Sequence, residues 1–192
     1  MKSIISIVFI TILLTVIACA SGEPAETEKP GQAETKDTLK TGGEMTFELT
    51  SSGFNRGDTI PDKYTCTGED ISPALSWNDP PDSTVEFALI CDDPDAPVGV
   101  WSHWIVYSIP VDVRGIPEGE KNIPGIEGKN DFGRTNYGGP CPPPGKPHRY
   151  FFTLYALDTK VDLKVGATRK EILAAIDGHI IAKAELMGFY GR

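Results

Sequence analysis

The chain has 192 residues, of which 40% are hydrophobic and 9% aromatic, which suffices for one folded domain with a hydrophobic core. Its formal net charge is −9. That charge argues against nucleic-acid binding, which requires a basic surface, and against simple adhesion to anionic lipid.

The first 18 residues predict a lipoprotein signal peptide. Lys2 precedes an apolar run, IISIVFITILLTVIA, which has the length of a signal peptide. The run leads into VIAC, which resembles the lipobox of prokaryotic lipoproteins, where the cysteine is lipidated and becomes the mature N-terminus. This cysteine is Cys19. An uncleaved membrane anchor is the alternative, because the run is only slightly short for a span. Both interpretations place the domain outside the cytoplasm.

Residues 19–43 predict a disordered tether that follows the lipidated cysteine. The stretch has no aromatic residue and is rich in Glu, Thr, Lys, Pro and Gly, so it buries too little apolar surface to fold. A flexible chain of this length spans roughly 25 to 30 Å. The globular domain is therefore predicted to cover residues 44–192.

Three strands are predicted in the first half of this domain. Residues 45–51 alternate apolar and polar side chains, as in a strand with one wet face. Residues 53–81 are rich in turn signals. Residues 84–91 are apolar on both faces, as in a central strand. Residues 101–109 form the third strand, on which alternation predicts one shared face for Trp101, His103, Ile105 and Tyr107.

A long excursion over residues 110–147, rich in Gly, Pro and Asn, predicts a functional loop. Its last ten residues hold five prolines and three glycines, which stiffen the chain and permit close approach. A strand follows over residues 149–157. Its alternation places His148 and Tyr150 on one face and Arg149 on the other, so the loop is expected to deliver an imidazole and a phenol to one place.

One helix is predicted near the C-terminus. Thr168 and Glu171 form a capping box, and Asp177-Gly178 ends the apolar stripe. A half-exposed strand starts after His179. The pattern as a whole predicts a mainly β protein, a sandwich with loops gathered at one end and a single late helix.

The three histidines differ in context. His179 starts a strand and is interpreted as structural. A lone histidine in an apolar strand, such as His103, is usually a satisfied core residue, whereas His148 ends the rigid loop. Residues 91–97, CDDPDAP, end a strand with three carboxylates, an ordinary turn taken alone. Together these groups indicate a binding site in which carboxylates orient imidazoles.

Three segments then resemble the signatures of the phosphatidylethanolamine-binding protein family, most closely its prokaryotic Raf-kinase-inhibitor-like branch. They are DPDAP (93–97), SHWIVYSIP (102–110) and GPCPPPGKPHRY (139–150). The resemblance covers residues 45–192. It implies an antiparallel β-sandwich with an anion pocket at one end, which binds phosphate and phosphorylated head groups without a metal or organic cofactor.

The resemblance also implies the residues of the pocket. Its carboxylates are expected to orient the imidazoles, because they would repel an anion. Eukaryotic members include regulators of kinases and inhibitors of proteases, but the lipobox and tether speak against a cytosolic kinase role here. The expected ligand-binding residues are Asp93, Asp95, Pro97, His103, Pro143, His148 and Tyr150.

Three functions remain open on the sequence. The preferred one is a non-enzymatic module for phosphorylated small molecules or lipid head groups; a protease inhibitor is the alternative. A hydrolase using Ser102 or Ser108 lacks a GxSxG elbow. A metal site from His103, His148 and Asp93 lacks the usual ligand spacing, so no metal is expected.

The cysteines of the domain predict one disulfide. Cys66 and Cys141 lie in loops of a domain placed outside the cytoplasm, where cysteine pairs oxidise. Cys91 lies on a central strand and is expected to be a buried free thiol.

Overall fold

The computed structural model of the protein describes residues 46–192. Within this range the chain forms eight strands, one α-helix and a short 3-10 helix (Asp62–Tyr64). The α-helix, α1, covers Arg169–Ile176. The strands are β1 (Glu48–Thr50), β2 (Leu75–Asn78), β3 (Glu86–Asp93), β4 (Trp101–Pro110), β5 (Gly115–Ile116), β6 (Ile126–Glu127), β7 (His148–Leu157) and β8 (Ile180–Tyr190).

The strands form two antiparallel sheets. The smaller sheet has the order β1-β2-β5, and the larger sheet has the order β6-β4-β3-β7-β8. The predicted mainly β sandwich with one late helix is thus confirmed. The predicted signal peptide, Cys19, the tether and the start of the domain at residue 44 lie outside the described residues. No helix between residues 46 and 192 has the length and apolar character needed to cross a membrane.

The large sheet is buried on both faces, which explains the continuous apolar run of β3 at its centre. One core lies between the two sheets and contains Leu49, Trp77 and Phe87. A second core lies on the other face of the large sheet, where Ile172 and Ile176 of α1 cover it. A central strand with a core on each face needs apolar side chains at odd and even positions alike.

The capping box predicted for α1 is present. Thr168 Oγ1 accepts from the Glu171 backbone N–H, and the Glu171 carboxylate accepts from the Thr168 backbone N–H at 2.8 Å. Gly178, just after the helix, has φ +78°, a conformation that favours glycine and turns the chain into β8.

Three short strands, β2, β5 and β6, were not predicted from the sequence. β2 lies inside the stretch interpreted as turns, and β5 and β6 lie inside the long excursion. Strands of two to four residues are too short to display an alternating pattern. Their pairing depends instead on the neighbouring strands of each sheet.

The face predicted for His103 is wrong. The register between β3 and β4 shifts between Cys91 and Asp92, as it does at a β-bulge, where one residue is inserted into a strand. Ile105 and Tyr107 pack in the helix-side core, whereas the His103 ring contacts Tyr150 on the opposite face. The bulge therefore turns His103 away from the helix and toward the end of β7.

Candidate functional site

A cavity of about 190 Å³ lies where β3 ends and where β4 and β7 begin. Because β3 is antiparallel to both neighbours, its C-terminal end meets their N-terminal ends at one edge of the sheet. We call this the histidine cavity. It is lined by Asp93, Ala96, Pro97, Val98, Trp101, His103, Phe132, Cys141, Pro142, Pro143 and His148.

The histidine cavity brings together five of the seven predicted ligand-binding residues: Asp93, Pro97, His103, Pro143 and His148. Two larger clefts, of about 700 and 320 Å³, contain none of the seven. The smaller cavity is therefore the candidate site, because it concentrates ionisable groups within a rigid frame.

His148 and Asp93 form a buried pair in this cavity. The His148 Nδ1 lies 2.8 Å from Asp93 Oδ2, and the two side chains are 11% and 4% exposed. An ionised carboxylate only accepts hydrogen bonds, so Nδ1 donates. This bond fixes the orientation of the ring and leaves Nε2 free for a ligand. The predicted role of a carboxylate as the orienter of an imidazole is present here.

His103 is held by a backbone carbonyl instead. Its Nδ1 lies 2.7 Å from the Gly138 oxygen, and this is the one hydrogen bond that the ring forms within residues 46–192. Burial lowers the pKa of His103, so the neutral ring is favoured. The ring packs edge-on against Tyr150 and Phe132, with centroids 5.1 and 5.2 Å away.

The proline-rich loop is fastened at its start. The Gly138 N–H donates to the His103 carbonyl at 3.1 Å, and the Gly139 N–H donates to Asp70 Oδ1 at 2.7 Å. A Cβ atom at Gly139 would lie 2.5 Å from the Tyr64 carbonyl oxygen. Glycine is thus required for this close approach.

The loop is also fastened covalently. Cys66 and Cys141 form a disulfide, and Cys91 is a free, buried thiol, which agrees with the pairing expected from the sequence. The Cys66 N–H also donates to the Pro140 carbonyl at 3.1 Å. Because Cys141 lines the histidine cavity, the disulfide braces one of its walls.

Asp95 does not line the cavity, which corrects its expected place among the ligand-binding residues. Its carboxylate accepts from Arg149 Nε at 2.8 Å, from Arg149 Nη2 at 2.7 Å and from the Arg149 backbone N–H at 3.0 Å. These contacts hold the pKa of Asp95 below its usual range. The pair ties the turn after β3 to the start of β7, so Asp95 positions the site from outside.

Tyr150 also lies behind the cavity wall rather than in it. The residue is fully buried, and its hydroxyl has no hydrogen-bond partner within residues 46–192. Burial and the nearby Asp93 carboxylate raise the pKa of Tyr150, so the phenol stays protonated. The predicted strand faces are correct, since His148 and Tyr150 are buried and Arg149 is exposed. The Tyr150 phenol was expected to face a ligand, but it does not line the cavity.

Sequence reasoning missed three contributors to the site. Trp101 and Phe132 form an aromatic wall, with ring centroids 5.4 Å apart, and Gly138 supplies the carbonyl that holds His103. Phe132 and Gly138 lie in the long excursion, where no local pattern predicts which residues approach the cavity. Trp101 begins a predicted strand and lies two residues before His103. This closeness in sequence is the signal that could have identified it as a site residue.

The alternative sites considered from the sequence are not assembled. Ser102 is fully buried and its Oγ has no partner among the described residues, and the Ser108 hydroxyl donates to the Val161 carbonyl. Neither serine hydroxyl is hydrogen-bonded to a histidine. Between residues 46 and 192, no group of three or more His, Cys, Asp or Glu side chains is placed to share a metal ion.

Comparison with known proteins identifies the class. A profile of the phosphatidylethanolamine-binding protein family matches residues 50–191, which includes every strand that builds the histidine cavity. The chain belongs to this family.

Individual relatives agree with this assignment. A UPF0098 protein of Methanothermobacter thermautotrophicus is 48% identical over 154 residues, covering 76% of this chain and 99% of that protein. The crystal structure of a phosphatidylethanolamine-binding protein homologue from Chlamydia trachomatis superposes with a TM-score of 0.72 at 44% identity, covering 76% and 97% of the two chains. YbcL of E. coli, described as a member of the mammalian family, has a TM-score of 0.72 at 32% identity, covering 76% and 98%.

Proposed function

We propose that this protein binds phosphate-bearing small molecules or phospholipid head groups in the histidine cavity, without catalysing a reaction. The observation that carries the proposal is the buried His148–Asp93 pair, with its free Nε2 beside a second imidazole. A positioned imidazole that a carboxylate supports is a strong donor to an anionic oxygen when both of its nitrogens carry protons.

The surroundings of the pair support binding rather than catalysis. Proline residues and the disulfide hold the wall rigid, as is expected of a preformed ligand site. No serine, cysteine or lysine side chain within residues 46–192 is hydrogen-bonded to either histidine of the cavity. An anion that enters therefore meets the Nε2 of the imidazole that Asp93 supports, and among the described residues no activated nucleophile is hydrogen-bonded to that imidazole.

The cellular setting is part of the proposal. We assign the chain to the prokaryotic Raf-kinase-inhibitor-like branch and place its domain outside the cytoplasm, anchored by lipid on Cys19. VIAC after the apolar run supports this placement. Changing Cys19 to Ser should leave the precursor unprocessed or release the protein from membranes. Membrane association at normal size in that variant, with no acyl label on the natural protein, would refute the anchor.

Calorimetric titration with inorganic phosphate and phosphoethanolamine tests the binding function. His148→Ala removes a charge-assisted hydrogen bond worth roughly 1.5 to 3 kcal/mol, so affinity should fall roughly ten- to a hundredfold. His179→Ala is the matched control, because His179 forms a similar but exposed pair, and it should bind normally. If His148→Ala binds as well as the natural protein and only melts earlier, His148 is a structural residue.

A further inference from the structure

The hydrogen bonds of the two histidines also determine which kind of phosphate fits. The Gly138 carbonyl oxygen can only accept, so the His103 Nδ1 that lies 2.7 Å away carries the proton. The ring is buried, which disfavours a second proton. The Nε2 of His103 is therefore an acceptor with a lone pair, and it belongs to a ring that lines the cavity.

His148 gives the cavity its one variable donor. Its Nδ1 proton is committed to Asp93, so Nε2 accepts when the ring is neutral and donates when the ring is a cation. Whether His148 is neutral or a cation, the two imidazole rings together offer at most one N–H donor to the cavity, because His103 Nε2 remains an acceptor.

The charges around the cavity favour a ligand of low charge. The described residues that line it include no lysine or arginine, and the charge of Asp93 offsets that of a protonated His148. Arg149 is paired with Asp95, and the Arg134 guanidinium lies over the Phe132 ring at 5.2 Å. A dianion would therefore find no lining side chain whose charge is unpaired.

From this arrangement we infer that the histidine cavity selects a phosphate group that carries a P–OH, namely a monoprotonated phosphomonoester or inorganic phosphate, over a phosphodiester. The inference rests on the proposed function and narrows it. The P–OH donates to His103 Nε2, and the anionic oxygens face His148. A phosphodiester has no hydroxyl, so it sets a charged oxygen against the lone pair of His103.

The expected discrimination is large enough to measure. A site built to receive a hydrogen bond rejects an analogue that lacks the donor, because its own acceptor then stays unpaired. The loss of one charge-assisted hydrogen bond corresponds to roughly a ten- to a hundredfold change in affinity.

Calorimetric titration of the purified full-length protein with methyl phosphate and with dimethyl phosphate tests the inference. The two probes differ by one methyl group and by the P–OH. Methyl phosphate should bind about ten- to a hundredfold more tightly. Equal affinity of the two probes would overturn the inference while leaving the proposed function intact. Failure of methyl phosphate, dimethyl phosphate and inorganic phosphate to bind would overturn the proposed function itself.

His103→Asn assigns the discrimination to one atom. The Asn amide can still donate to the Gly138 carbonyl, but it has no group at the position of Nε2. Affinity for methyl phosphate should fall toward that for dimethyl phosphate, whereas the control His179→Asn should keep the full difference. Retention of the full difference in a folded His103→Asn variant would contradict the assignment. The comparison of the two probes on the natural protein does not depend on this variant. If the two probes bind the natural protein equally well, the inference is wrong even when the variant folds poorly.

Competition distinguishes a lipid source of the monoester from a soluble one. Short-chain phosphatidate is a lipid monoester, phosphoethanolamine is a soluble monoester, and short-chain phosphatidylethanolamine is a diester. Either monoester should displace bound methyl phosphate, and the one that does so at lower concentration identifies the source. Equal displacement by phosphatidylethanolamine would overturn the inference.

Discussion

Two histidine–aspartate pairs in this molecule have nearly the same geometry and very different surroundings. The buried pair joins His148 Nδ1 to Asp93 Oδ2 at 2.8 Å, and the exposed pair joins His179 Nδ1 to Asp158 Oδ1 at 2.9 Å. The side chains of the buried pair are 11% and 4% exposed, and those of the exposed pair are 47% and 44% exposed. Bond length therefore does not distinguish a buried pair that lines a cavity from an exposed pair on the surface.

Access to water does separate them. An exposed pair competes with solvent for each hydrogen bond and is worth about 0 to 1 kcal/mol. The buried pair has little water to compete with, its ring lines a cavity, and a braced loop lies beside it. The His148 ring is therefore held in one orientation, in which it is available to a molecule that enters the cavity.

The largest effect is expected from removing the disulfide that braces the buried pair. Cys66 and Cys141 are 75 residues apart, and release of a loop of this length should lower the free energy of unfolding by about 4 kcal/mol in the chain-entropy model. Denaturant unfolding of the double variant Cys66→Ser/Cys141→Ser measures the loss. Phosphate affinity should also fall, because Cys141 lines the cavity.

Peptide mapping of the natively isolated protein provides the control for this prediction. Neither Cys66 nor Cys141 should react with an alkylating reagent unless a reductant is present. Free alkylation of Cys66 in the folded protein, or a double variant as stable as the natural protein, would show that the brace is not formed in the cell.

The second effect concerns the carboxylates of the two pairs. Asp93→Asn keeps the shape of the side chain and an oxygen for the Asp95 N–H, but it removes the charge that supports a cationic His148. Phosphate affinity should fall roughly ten- to a hundredfold, or about 1.5 to 3 kcal/mol. Asp158→Asn, the matched change in the exposed pair, should bind phosphate within about twofold of the natural protein. Similar losses in both variants would mean that a general charge effect, and not the buried pair, controls affinity.

The parts that the sequence predicts well are those with long, self-consistent patterns. β3, β4 and β7 have eight to ten residues each, so their apolar and alternating patterns identify them, although β3 lies two residues further along the chain than the predicted 84–91. The convergence of Asp93, His103 and His148 then follows from antiparallel pairing at one sheet edge. The capping box marks α1 in the same way, because Thr168 and Glu171 are close in sequence.

The parts that the sequence does not predict depend on contacts between distant residues. The bulge that turns His103 requires a register shift against β3, which no property of β4 alone reveals. Asp95 lies one residue from the cavity wall at Ala96, yet the side chain turns to Arg149. Phe132 reaches the cavity from a loop without any motif. The local sequence pattern thus predicts which residues lie close together, and contacts between distant residues decide which of them line the cavity.

The third effect concerns a histidine that is buried without a carboxylate partner on its ring. Burial lowers the pKa of His103 in the folded protein, while the unfolded value is about 6.5. Below that pH the unfolded chain binds more protons at this site, so stability is lost as pH falls from about 6.5 toward the folded pKa. Asp93 and Asp92 of β3 oppose the shift, and Tyr150 of β7 remains neutral.

Unfolding curves between about pH 7.5 and 5.5 measure this contribution. One histidine contributes at most about 1.4 kcal/mol per pH unit. His103→Asn should reduce the pH dependence of the free energy of unfolding in this window. An identical pH dependence in His103→Asn and the natural protein would show that His103 is not the group that titrates.

The smallest effect is expected from Tyr150→Phe. The Tyr150 hydroxyl is buried and has no hydrogen-bond partner among residues 46–192, so its removal should leave the free energy of unfolding unchanged or raise it by up to about 1 kcal/mol. Tyr107 is the matched control, because it is equally buried but donates to the Lys164 carbonyl at 2.6 Å. Tyr107→Phe should lower the free energy of unfolding by about 0.5 to 1.5 kcal/mol.

The same Tyr150→Phe variant separates support of the buried pair from contact with the ligand. Because Tyr150 is fully buried and does not line the histidine cavity, phosphate affinity should change by less than about twofold, which is under about 0.4 kcal/mol. A tenfold loss of affinity at unchanged stability would mean that the cavity opens to Tyr150 when an anion enters. The Tyr150 hydroxyl would then contact the bound anion directly.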